Sequence, residues 1–141
     1  MEDRYLFKAK TVTDGTWVQG YYVYDYARDI HYIFANEIAC PNCINDRRRD
    51  FSLQDYEVDP STICQCTGLK YKNDNLIWEN DIIKTQVGTA KVVWDKSEWR
   101  IEWLKNNLCR KDLYYWAVED IQRIEVIGNI FDNKDLLESE E

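Results

Sequence analysis

The sequence predicts a mainly β protein that ends in a small barrel. Short runs of β-branched and aromatic residues recur at regular spacing, apolar and polar residues alternate within them, and helical patterns are few. The alternation is plainest in Glu98-Trp-Arg-Ile-Glu-Trp103. There Trp99, Ile101 and Trp103 fall on one face and Glu98, Arg100 and Glu102 on the other.

From the N-terminus, Arg4-Tyr-Leu-Phe-Lys-Ala-Lys10 puts Tyr5, Phe7 and Ala9 on one face of a first strand. Asp14-Gly15 is expected to supply the positive φ angles of a tight hairpin turn. A second strand follows at Thr16–Tyr24, rich in aromatic and β-branched residues, and a third at Ile30–Phe34. Residues 40–52 read as a polar, irregular insertion. Further strands are predicted at Asp81–Gln86, Thr89–Trp94, Glu98–Trp103, Tyr114–Val118 and Ile124–Phe131, with a turn at Asp95-Lys-Ser97. The acidic end, Asp135-Leu-Leu-Glu-Ser-Glu-Glu141, has room for one helical turn before fraying.

A chain of 141 residues makes one ordinary domain or two small ones. With 45% hydrophobic and 31% charged residues it is neither disordered nor membranous in composition. No apolar run approaches the roughly 20 residues that span a bilayer, and Met1–Lys10 lacks the apolar core of a secretory signal. A cytoplasmic location is expected.

The formal charge is −8, and it is unevenly placed. Residues 1–49 hold seven basic and seven acidic side chains, whereas residues 50–141 hold eleven and nineteen. Phosphate binding relies on clustered cations, so nucleic acid is a disfavoured partner. The one basic cluster, Arg47, Arg48 and Arg49, is flanked by Asp46 and Asp50 and reads as a solvated loop.

Five cysteines in a chain without a secretion signal do not suggest a disulfide framework. Cys40-Pro-Asn-Cys43 has zinc-knuckle spacing, and Cys64-Gln-Cys66 follows. On a strand, both sulfurs of the second pair point to one face, but turn amides that support thiolates are not expected there. Cys64 and Cys66 read better as small apolar core residues, and no metal or cofactor is assigned. His31, the only histidine, lies between apolar residues and reads as a hydrogen-bonded or surface side chain. Glu79 and Asp81 could gather a metal in principle, yet turn hydrogen bonding accounts better for them. With no nucleophile motif and no Gly-rich phosphate loop, no catalytic residue is assigned and the chain is read as not an enzyme.

Six Trp and ten Tyr exceed what two small cores comfortably hold, so some rings should form an exposed interface. The second strand is apolar on both faces, with Trp17, Tyr21 and Val23 on one and Val18, Tyr22 and Tyr24 on the other. One face can fill a core while the other meets a neighbour.

Three stretches resemble the YopX family of phage and prophage proteins. Gly15-Thr-Trp-Val-Gln-Gly-Tyr-Tyr22 is similar to the family's Trp-x-x-Gly-aromatic strand, and Thr67–Ile83 to its most diagnostic motif. Ile124-Glu-Val-Ile-Gly-Asn-Ile-Phe-Asp-Asn133 is similar to its closing segment. The resemblance implies an N-terminal β subdomain, residues 1–66, joined to an SH3-like β-barrel with an acidic tail, residues 67–141. It implies no catalytic residues. Asp74 and Asn80 stand where the family usually has glycine, which predicts positive φ at both. Cys64 replaces a usual glycine and Cys66 a usual aromatic, so the cysteine pairs are peculiar to this chain.

The expected function is that of a non-enzymatic phage or prophage accessory protein in the bacterial cytoplasm, acting as a homo-oligomer through aromatic patches and open strand edges. The alternative is an acidic module that captures a host protein, competing with nucleic acid for a basic surface.

Overall fold

The computed structural model of the chain describes residues 3–35, 53–118 and 124–138. It is mainly β and forms two compact units, Tyr5–Cys64 and a second composed of Met1–Arg4 with Gln65–Glu141.

In the first unit, β1 (Phe7–Lys10), β2 (Trp17–Asp25) and β3 (Ile30–Ala35) make an antiparallel meander in the order β3-β2-β1. The register has no slip: Lys10 faces Trp17, Gly20 lies between Phe7 and Ala35, and Asp25 faces Ile30. Residues 57 and 58 extend the pairing, Glu57 bridging to Tyr32 and Val58 to Thr11. Val58 thereby joins Ala9 and Ile33 in a small core, with Phe7, Val18 and Ile63 against it.

Two expectations fail in this unit. The first strand starts at Phe7 because Asp3–Tyr5 is a 3-10 turn, which leaves Tyr5 exposed. Asp14-Gly15 is not a two-residue hairpin turn. Residues 11–16 form a wider loop in which Gly15 alone has positive φ (+73°). The Asp14 carboxylate organises that loop by accepting bonds from the Thr11 hydroxyl and from the Thr16 amide and hydroxyl. The side chain closes what the backbone was expected to close.

In the second unit, β4 (Cys64–Tyr71) and β5 (Asn75–Trp78) form a hairpin, with a register shift between Cys66 and Lys70. Gly68, at φ +80°, lies within that irregularity. β6 (Asp81–Thr85), β7 (Gly88–Asp95), β8 (Glu98–Trp103) and β9 (Glu125–Asn129) form an antiparallel sheet in the order β8-β7-β6-β9. Its core is Ile77, Ile83, Ala90, Val92, Ile101, Leu113, Trp116 and Ile124. β8 alternates as its sequence requires, Ile101 buried and Glu98 and Glu102 exposed.

The expected barrel does not close among the described residues. The outer edge of β8 meets an irregular segment, through the Ile101 amide to the Lys111 carbonyl (2.7 Å) and an Arg100–Asp112 bridge. The strand expected at Tyr114–Val118 is instead a helix, α1 (Leu113–Val118). Its β-favouring residues are overridden because Leu113, Trp116 and Ala117 lie at helical spacing against the core, while Tyr114 is 64% exposed. The C-terminal helical turn is present as α2 (Lys134–Glu138). No helix among the described residues is long and apolar enough to cross a membrane.

Candidate functional site

β2 is the longest strand among the described residues, and its nine residues fall five on one face and four on the other. Val18 packs against the Ala9, Ile33 and Val58 core. On the same side the Tyr22 hydroxyl lies 2.6 Å from His31 Nδ1, with the His31 ring stacked on Tyr24 at 4.5 Å. Tyr24 donates to Asp29 (2.7 Å), and that bond, ahead of its burial, raises its pKa. Burial raises the pKa of Tyr22. His31 is thus a ring-sandwiched, hydrogen-bonded side chain, as its sequence context predicts.

The opposite face carries Trp17, Gln19, Tyr21, Val23 and Asp25. Tyr21 is 38% exposed and Val23 45%, with Phe34 and Tyr32 as their cross-strand partners on β3. Phe34 is in turn covered by Tyr56 at 5.0 Å. At one end the ammonium groups of Lys8 and Lys10 sit 4.9 and 5.4 Å from the Trp17 ring centroid, within cation–π range. The result is an apolar row, basic and aromatic at one end and acidic at the other. It holds Trp17, Tyr21 and Val23, which the alternation of the strand places on one face. Packing turns Val18 inward, although Tyr24 on the same side of the strand stays 41% exposed.

Smaller aromatic features lie in the second unit. Trp94, 56% exposed, meets Trp99 edge-on at 5.0 Å near the tip of the β7–β8 hairpin. Arg110 forms a two-pronged pair with Asp112 (both 2.9 Å) and lies 4.3 Å from the Tyr115 ring centroid. The Arg110 bond holds the Asp112 carboxyl below the usual carboxylate range. Nothing in the sequence spacing singles out this cluster, because it depends on the loop that precedes α1.

Cys40, Cys43 and Arg47, Arg48 and Arg49 lie outside the described residues. Cys64 and Cys66 are both buried on one face of β4, in keeping with small core residues. Cys64 Sγ donates to the Thr62 carbonyl at 3.3 Å. A supporting amide, not expected from sequence, does exist: Gly68 N–H points at Cys66 Sγ (3.4 Å). Asp81 accepts from the Trp78 amide (2.8 Å), the turn hydrogen bond expected of it, whereas Glu79 accepts from the Gln65 amide (3.1 Å) across on β4. Among the described residues no three His, Cys, Asp or Glu side chains gather in a way that could hold a metal ion.

Residues 16–138 match the family model for YopX protein. The chain belongs to the YopX family. A search of curated proteins gives no match. The family's glycine positions now have a geometric account, since Asp74 and Asn80 adopt φ of +59° and +69°, as predicted. In the closing motif, a Cβ on Gly128 would overlap the Asn133 carboxamide, whose oxygen accepts the Asn129 amide at 3.1 Å. Gly128 and Asn133 are therefore a matched pair within this YopX segment.

Proposed function

We propose that this YopX-family chain is a non-enzymatic phage or prophage accessory protein that works by self-association in the bacterial cytoplasm. The supporting observation is the outer face of β2, where Tyr21 and Val23 are exposed although Val18 on the other face packs into a core. Burying such a row is worth about 25 cal/mol per Å² of apolar surface, and a standard interface of about 1,600 Å² suffices for specific association. Nucleic acid is not its proposed partner, given the net charge of −8. The second unit is proposed to be an SH3-like fold, because its last strand, β9, returns to pair with β6, the first strand of the β6-β7-β8 meander.

Sedimentation over a hundredfold range of micromolar concentrations tests the proposal. A discrete oligomer that Tyr21→Glu dissociates is expected. A single monomeric species at every concentration would defeat it. That outcome would favour the second reading, an acidic module that captures a host protein through exposed rings such as Trp94 and Tyr114.

A further inference from the structure

We draw no further inference here: the strongest candidate, the outer face of β2 around Tyr21 and Val23, belongs to the site already described, and nothing in the structure shows what covers it.

Discussion

The phenol oxygen of Tyr22 on β2 lies 2.6 Å from Nδ1 of His31 on β3. The bond ties neighbouring strands, and the rings of Tyr22 and Tyr24 both stack with that of His31. Tyr22→Phe keeps the ring contacts, including that with Phe7 at 5.4 Å, and removes only the hydroxyl. The expected loss is about 1 kcal/mol, the net worth of one such bond, measured by urea unfolding. An unchanged urea midpoint would show that the bond is replaced by solvent.

The β7–β8 hairpin turns through Lys96 and Ser97, both at positive φ (+54° and +63°). The flanking pair is Asp95 and Glu98, so the loop has two residues and the positive φ values of a type I′ turn. Neither residue favours that conformation, whereas Asn-Gly does. Replacing Lys96-Ser97 by Asn-Gly should therefore stabilise the protein by about 1 kcal/mol. Calorimetry should show a higher melting temperature without a change in oligomeric state.

Gly128 on β9 has no room for a side chain on the face toward Asn133. Gly128→Ala pushes the Asn133 carboxamide off the Asn129 amide and disturbs the lead into α2. A cost of about 1–3 kcal/mol is expected, from overlap plus the lost hydrogen bond. Asn133→Ala relieves the overlap, so adding it to Gly128→Ala should cost less than the two single changes summed.

Acid should weaken the fold through identifiable carboxylates. The Thr11 and then the Thr16 hydroxyl hold Asp14 below its ordinary value, Arg110 does so for Asp112, and Lys72 for Glu125. A carboxyl whose folded pKa is depressed binds its proton more readily in the unfolded chain. Its contribution is complete above the unfolded value of about 4 and is lost as pH falls through the lower folded value. Urea midpoints should therefore be flat from pH 7 to 5 with respect to these groups and drop below about pH 4. Asp14→Asn should lower stability at neutral pH and shrink that drop.

Much of the β architecture can be read from local pattern. β8 is legible because strict alternation of Trp99, Ile101 and Trp103 with charged residues allows one periodicity and one inward face. β2 and β3 are legible because β-branched and aromatic residues crowd Trp17–Asp25 and Ile30–Ala35. The positive φ of Asp74 and Asn80 follows from which residue types tolerate that conformation, a property of single positions.

Other features depend on partners distant in the chain. Leu113–Val118 has strand-favouring residues but forms a helix, because Leu113 and Trp116 gain more by entering one core together than by alternating. β2 is apolar on both faces, so its alternation cannot say which side is inside. Val58 and Ile63, forty residues downstream of Val18 and beyond, draw Val18 inward by joining it in one core. Whether a sheet closes is likewise nonlocal, since β8 meets the segment before α1 at its outer edge where a closing strand was expected. Periodicity specifies an element and its two faces. Which face becomes interior depends on the apolar surface that later parts of the chain bring to it, and one strand's sequence carries no record of that.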